Sequence, residues 1–434
     1  MIRHYIGDRR MKVKELQYPV VNPFLFYGKI VKWQFRPSLT SMKNGYAYRF
    51  TVFFENGEKK EYQRSGFKTK KAAEAAKEET IVALDSKTFV PFNIETKEFF
   101  EFWLYYYMID ERHIAYNTYY TYRNIIYNYI FKALDINKTK KKITSLTEKD
   151  FKKLEQYIDS KGKSNSLKRT ALSVMSRALQ YAQSRQCISI NPAENFQKYH
   201  KIQKRRSNKK TKKREVVILT LEQCTLLIDT CKANFSELYI PLLFAMTAGL
   251  RISEIAGLRY KDVNFEDKTI TVHGQIGSTL DRKGKEEQMA TQQYIAPKTL
   301  ASERTVYIPQ FLCTEILNQH KKYKRLSEIV PDFYDLDYIS CQPNGKPITK
   351  RRIRSCYNKL LLLCDLPKMH FHDLRHTYAT LLDDAGISEK LISNMLGHVR
   401  QSFTQKTYVD KSAIPCDLTS TLCNIAPKLL TTTK

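Results

Sequence analysis

The chain lacks the patterns that mark several common classes of protein. Its nine cysteines include no Cys-x-x-Cys pair, which argues against a structural zinc site and against a secreted disulfide framework. No apolar run approaches the roughly 18–20 residues needed to span a bilayer, and residues 1–10 are too polar for a signal peptide. A glycine loop of the Walker type is also missing. We therefore expect a cytoplasmic protein with reduced thiols and no membrane partner.

Acidic residues are scarce relative to basic ones. The 434 residues include 73 Lys and Arg against 44 Asp and Glu, which gives a formal net charge of +29. So large an excess predicts a polyanionic partner, and nucleic acid is favoured over lipid because membrane segments are missing. The length predicts two or three domains.

Residues 45–84 have the pattern of a small β-β-α unit. Apolar and other residues alternate over 46–54, as in a strand, and Asn56-Gly57 predicts a hairpin that returns through residues 59–64. Thr69 then caps an alanine-rich helix over 70–84. An earlier strand near 29–35 would complete a three-stranded sheet.

Residues 94–199 contain only helical patterns rich in aromatic side chains. A helix over 164–185 would offer Lys168, Arg169 and Arg177 to phosphates. Residues 198–214 then carry ten Lys or Arg and no acid, which predicts a solvated linker that can cross a DNA backbone.

The segment after the linker combines helices with a few strands. Thr220 and Gln223 form a capping box at the start of a helix. Strand patterns follow at 269–273, 293–297 and 305–309, interrupted by a polar segment over 275–292. The rest is helical, so the chain as a whole is expected to be multidomain and mainly α, with small sheets.

Two arginines have the setting of phosphate ligands. Cleaving the phosphodiester anion without a metal needs positive donors on its non-bridging oxygens, a nucleophile and an acid for the leaving oxygen. Arg251 ends the apolar stretch 241–250, and Arg375 lies one helical turn after His372. A guanidinium offers paired donors and keeps its charge. Glu254, one turn after Arg251, either orients that guanidinium or is a plain surface carboxylate.

Three histidines, His370, His372 and His376, lie close enough in sequence to suggest a metal site. Arg375 lies among them, however, and no acidic residue or cysteine has metal-site spacing. We expect no metal and no other cofactor.

These motifs together resemble the tyrosine recombinases, or phage-type integrases. The resemblance rests on residues 248–254, on 372–376, on Leu396-Gly397-His398 and on the following Tyr408. Many members place the tyrosine one residue nearer the histidine. The longer spacing here is similar to that of integrases of conjugative transposons.

The resemblance implies a role for each site residue. Tyr408 would be the nucleophile that forms a 3′-phosphotyrosyl bond, with no need for ATP or metal. Lys298 would protonate the departing 5′ oxygen, with Lys283 and Lys285 as weaker candidates. His372 and His398 would donate hydrogen bonds to the phosphate, and His372 is also able to accept the tyrosine's proton. Tyr378 is the competing nucleophile, but helix packing explains it better.

The resemblance also implies the architecture. It divides the chain into an arm-type DNA-binding domain (1–90), a helical core-binding domain (91–200), a basic linker (201–214), a catalytic domain (215–412) and a tail (413–434). In the tail, four apolar residues have the spacing of a helix stripe that packs on its own domain or on a neighbouring protomer, namely Ile414, Leu418, Leu422 and Ile425.

The implied function is site-specific recombination that integrates and excises a transposon or prophage. Its partners would be double-stranded DNA at crossover and arm-type sites, three further copies of the chain, and a small directionality factor. The alternatives are a type IB topoisomerase and a non-catalytic DNA-binding regulator on the same fold.

Overall fold

The structure, a computed structural model, describes residues 18–194, 196, 216–280, 289–295 and 303–396. They belong to two compact units whose described parts are residues 18–196 and 216–396. Within these ranges no helix is both long and apolar enough to cross a bilayer. The same ranges contain no cluster of three or more His, Cys, Asp or Glu residues suited to a metal ion.

The first unit begins with an antiparallel sheet built around one long strand. Its strands are β1 (Ile30–Phe35), β2 (Thr40–Met42), β3 (Gly45–Phe54) and β4 (Lys59–Phe67). All three others pair with β3, with Trp33 opposite Val52 and Arg49 opposite Gln63. The predicted β1, β3 and hairpin are confirmed. The short β2 was not predicted.

Helix α1 (Lys70–Asp85) packs on this sheet and begins where the sequence indicated. The side chain of Thr69 accepts a hydrogen bond from the amide of Ala72 at 3.2 Å, which satisfies an N–H left open by the helix geometry. The buried Tyr48 of β3 donates its hydroxyl to the carbonyl of Ala76 at 3.0 Å. The predicted β-β-α arrangement is therefore confirmed.

The rest of the first unit is helical, as predicted. Its α-helices are α2 (Thr96–Phe102), α3 (Tyr116–Ile125), α4 (Glu148–Ser160) and α5 (Asn165–Ser184). Helix α2 continues into a π-helical segment (Trp103–Glu111), and α3 continues into another (Ile126–Ile130) followed by Phe131–Ala133.

Two of the three basic residues expected to face phosphates have partners within this unit. Lys168 forms an ion pair with Asp159 at 2.7 Å, and Arg177 donates to the hydroxyl of Tyr122 at 2.8 Å. Arg169 is exposed. The expectation that these three side chains are available to phosphates stays a prediction, and two of them also brace the helices.

The sheet and the helices of this unit are joined by buried contacts. The amide of Ile30 in β1 donates to the side-chain oxygen of Gln186, just after α5, at 2.7 Å. Arg185 donates to the carbonyl of Leu25 at 2.9 Å. The rings of Phe24 and Phe92 stack with centroids 4.2 Å apart. The boundary expected near residue 90 lies inside this packed unit.

The second unit has a core of buried helices with small sheets at its side. Its helices are α6 (Leu221–Asn234), α7 (Ser236–Thr247), α8 (Ile252–Ile255), α9 (Gln310–Ile329), α10 (Lys350–Leu363), α11 (Asp373–Asp384) and α12 (Glu389–Leu396). The predicted capping box is present, with Thr220 and Gln223 exchanging hydrogen bonds of 3.0 and 3.3 Å. Helix α7 is buried along most of its length and packs against α11.

The strands of the second unit form two groups. A three-stranded sheet contains β5 (Val263–Asn264), β6 (Thr269–Val272) and β9 (Arg304–Tyr307), and a separate ribbon contains β7 (Gln275–Leu280) and β8 (Met289–Ile295). Reading residues 275–292 as an interruption between strands is therefore wrong. The ribbon is held by backbone pairing, which a polar sequence does not reveal.

The docking of the sheet in the first unit can be tested at Gln186. Changing Gln186→Ala leaves the buried amide of Ile30 without its acceptor, which should lower the free energy of unfolding by about 1–3 kcal/mol. Both tryptophans of the chain, Trp33 and Trp103, lie in this unit, so urea unfolding followed by tryptophan fluorescence reports on it. Gln183→Ala is the control, because its 3.4 Å bond is exposed. Equal stability of the two variants would contradict the docking.

Candidate active site

Arg251 and Glu254 lie at the start of α8 and form one part of the site. Arg251 is the residue before the first helical turn, and its backbone N–H donates to a carboxylate oxygen of Glu254 at 2.9 Å. Its guanidinium donates to the other oxygen at 2.7 Å. Glu254 is 6% exposed. The helix start thus places a carboxylate where it fixes the direction of the Arg251 side chain.

A third residue, Arg304, binds the same carboxylate from the first position of β9. Two guanidinium nitrogens of Arg304 donate to the two oxygens of Glu254 at 3.2 and 3.0 Å. Burial would raise the pKa of Glu254, but hydrogen bonds and charge from Arg304 and Arg251 outweigh it, so the pKa lies below its usual value. Glu254 is therefore a carboxylate at neutral pH and accepts four hydrogen bonds.

Arg375, on α11, is held differently. Its side chain is buried, with 2% exposed. It donates to the backbone carbonyl of Gly249 at 2.6 Å and to that of Leu396. The guanidinium Nε has no acceptor among the described residues. Unlike Arg251, this arginine is positioned by backbone carbonyl groups, and within the described part of the chain no carboxylate bonds to it.

Gly249 is required by the contact that Arg375 makes. Its φ of +60° lies in the left-handed region, which favours glycine. A Cβ here would lie 2.5 Å from a side-chain carbon of Leu396 and 2.7 Å from the ring of Tyr378. The Gly249-Leu250-Arg251 sequence thus lets the chain turn closely past α11 and α12 and directs its carbonyl at Arg375.

The electrostatics of the cluster favour an anion. Burial, together with the positive charge of Arg251, lowers the pKa of Arg375 to about 9. At neutral pH the group is still protonated, so three guanidiniums face one carboxylate. This excess positive charge suits the non-bridging oxygens of a phosphodiester.

His372 lies beside these arginines at the start of α11. Desolvation of its ring lowers the pKa of His372, and the charge of Arg375 lowers it further. The charges of His376 and Arg251 act in the same direction, while Asp373 opposes them. His372 is exposed on one side, so a neutral imidazole is accessible to a substrate and able to accept a proton.

Tyr378 is a packing residue, as expected. Its side chain is buried against Gly249 and in a cluster with Leu382, Ile392 and Leu396. Burial raises the pKa of its phenol far above the usual value. A buried hydroxyl with so high a pKa is a poor nucleophile.

Several predicted site residues lie outside the described residues. They are Lys298, its weaker alternatives Lys283 and Lys285, His398, Tyr408 and the four apolar residues of the tail. The structure brings together the other four, Arg251, Glu254, His372 and Arg375.

Sequence reasoning missed Arg304, although a signal was present. Val306 and Ile308 are buried, and Arg304 shares their face because side chains alternate along a strand. A charged residue at such an inward position requires a buried partner. The alternation of side chains along the strand therefore indicates that Arg304 points inward and needs a buried partner.

Comparison with known proteins agrees with this geometry. Residues 217–413 match the phage integrase family, and residues 40–84 match the arm DNA-binding domain. A "Tyrosine recombinase XerC-like" protein of Caldanaerobacter subterraneus is 28% identical over 380 residues, which cover 85% of this chain and 93% of the relative. The integrase of Staphylococcus phage L54a is 28% identical over 161 residues, covering 37% of this chain and 44% of that protein.

A solved structure shares the fold. The integrase of transposon Tn1549, in complex with transposon right-end DNA, matches 68% of this chain and 90% of its own with a TM-score of 0.53 and 23% identity. The site, the fold and the relatives identify a tyrosine-type site-specific recombinase. Residues 217–413 belong to the phage integrase family of tyrosine recombinases.

The buried charge of Arg375 gives a test by pH. A lysine has an ordinary pKa about two units below that of arginine, so the same burial in Arg375→Lys would bring its pKa towards neutrality. The lysine of the variant should therefore lose its positive charge as pH rises from 6 to 9. Over that range the cleavage rate of the variant, relative to that of the parent, should fall by about tenfold or more. DNA strand cleavage measured across this range checks it. A ratio that does not change with pH would contradict the buried position.

Proposed function

We propose that this recombinase integrates and excises a mobile DNA element by breaking and rejoining DNA strands through a 3′-phosphotyrosyl intermediate. The observation that carries the proposal is the bond from Arg375 to the carbonyl of Gly249, two residues before Arg251, which brings the two arginines near each other and near His372. Separate supports hold the two guanidiniums, Glu254 for Arg251 and backbone carbonyls for Arg375, and two such donors suit the two non-bridging oxygens of one phosphate.

In the proposed reaction Arg251 and Arg375 donate to the scissile phosphate and stabilise the charge that develops on it. The phenol of Tyr408 attacks phosphorus, and neutral His372 accepts its proton. Lys298 gives a proton to the departing 5′ oxygen, and His398 donates a further hydrogen bond to the phosphate. One phosphodiester replaces another, so the reaction needs no external energy source.

The proposed partner is double-stranded DNA bound at two kinds of site. The net charge of +29 and the match of residues 40–84 to an arm DNA-binding domain support arm-type as well as crossover sites. That match favours a recombinase over a topoisomerase. Four copies would assemble on synapsed DNA in the cytoplasmic nucleoid, linked by the tail and aided by a directionality factor. Relatives named for a phage and a transposon support the mobile-element role.

The nucleophile is tested by a pair of tyrosine variants. Tyr408→Phe should bind attachment-site DNA as the parent does and form no covalent complex on a suicide substrate, because it lacks the attacking oxygen. Tyr378→Phe is a matched control, since it removes only a buried hydroxyl that has no partner among the described residues. It should retain cleavage. A covalent adduct in Tyr408→Phe, resolved on a denaturing gel, would exclude Tyr408.

The general acid is tested by the leaving group. A 5′-bridging sulfur leaves without a proton, so Lys298→Ala should cleave a phosphorothiolate substrate at a rate near that of the parent while losing about 100-fold or more on ordinary DNA. Arg375→Ala serves as the control. It loses stabilisation of the charge on the phosphate, so its cleavage rate should stay low on the phosphorothiolate substrate. If the thiolate does not rescue Lys298→Ala, the acid is another residue, with Lys283 and Lys285 tested next.

A further inference from the structure

We infer that Arg304 is a positioning residue of the recombinase, which holds Arg251 for the phosphate through Glu254 and also binds a carbonyl of α12. The inference rests on the proposed function of that site. It concerns a residue that acts through others, since Arg304 reaches the cluster by way of Glu254.

The first step is the sharing of one carboxylate. Each oxygen of Glu254 accepts from Arg304, at 3.0 and 3.2 Å, and each also accepts from Arg251, at 2.7 Å from the guanidinium and 2.9 Å from the backbone. Glu254 alone is linked to its helix by a flexible side chain. The fork of Arg304 fixes both oxygens at once, so the carboxylate has one orientation in which to receive Arg251.

The second step concerns the end of helix α12. Carbonyls at the C-terminal end of a helix carry partial negative charge and attract cations. Arg304 donates to the carbonyl of Met395 at 3.2 Å, and Arg375 donates to the carbonyl of Leu396. Two guanidiniums thus bind consecutive carbonyls, those of Met395 and Leu396, which directly precede Gly397-His398 in the sequence.

Arg304 therefore bonds both to Glu254 and to the carbonyl of Met395 in α12. Its side chain is 9% exposed, whereas that of Arg251 is 34% exposed. The less exposed arginine is suited to support, and the more exposed Arg251 is the one proposed to contact the substrate. Removing Arg304 should leave DNA contacts intact and loosen the geometry of cleavage.

The experiment compares two linkages at the scissile position of a suicide substrate made from the element's junction DNA. One is the natural phosphate, and the other is a methylphosphonate, which is neutral and makes a smaller demand on the guanidiniums. Full-length Arg304→Gln should bind the DNA within about threefold of the parent and cleave the phosphate about tenfold or more slowly. On the methylphosphonate its deficit should shrink to about threefold or less, as it should for Arg251→Ala.

A merely structural role would reduce cleavage of both linkages equally, and that outcome would overturn the inference, as would unchanged cleavage of the phosphate. Glu303→Gln is the matched control, because Glu303 is next to Arg304 in the sequence and its ion pair with His273 is exposed. Should Arg304→Gln not fold, Arg304→Lys keeps the positive charge but lacks the paired donors of a guanidinium. Its cleavage deficit is likewise expected to be smaller on the methylphosphonate than on the phosphate. A parent protein that cleaves neither linkage would contradict the proposed function instead.

Discussion

The buried carboxylate of Glu254 is the group on which the rest of the site depends. Three guanidiniums repel one another strongly when water is excluded, because like charges interact more strongly in a medium of low dielectric. Glu254 lies between two of them and accepts four hydrogen bonds, so the repulsion is offset where the side chains are closest packed. The cluster keeps a positive excess, which an anionic substrate can neutralise.

Two arginines with the same chemistry are held in two different ways. Arg251 has a charged partner and remains partly accessible, while Arg375 is buried and rests on carbonyls supplied by the turn at Gly249 and by the end of α12. Burial lowers the pKa of Arg375, and the positive charge of Arg251 lowers it further, while the charge of Glu254 acts in the opposite direction. Keeping an arginine rather than a lysine there preserves the charge, since arginine begins from a much higher pKa.

Local features of this chain could be predicted from sequence because their causes are local. The turn at Asn56-Gly57, the cap at Thr69 and the capping box at Thr220 depend on residues within a few positions, and all are present. The approach of Glu254 to Arg251 is of the same kind. The order of the motifs also predicted that His372 and Arg375 lie at one site with them.

The features that sequence reasoning missed depend on distant partners. Arg304 bonds to Glu254, which is 50 positions away, and Gln186 bonds to Ile30 across 156 positions. Lys168 and Arg177 are basic side chains of the type that binds phosphate, and in the fold they also contact Asp159 and Tyr122 on other helices. The ribbon of β7 and β8 is polar and has no apolar period. In each case the pattern states what a residue can do, and the tertiary contact decides what it does.

The buried joint between the β-sheet and helices of residues 18–196 has a mechanical meaning for a protein that would bind two DNA segments. A duplex presents each groove on the same side once in about 10.5 base pairs. With sheet and helices fixed to each other, the rotational phase between a duplex on one and a duplex on the other is set by the protein. Any mismatch in spacing between the two sites then falls on the DNA, where bending costs about 1–6 kcal/mol. The separation of two DNA segments bound in this way would then decide how well they suit this protein.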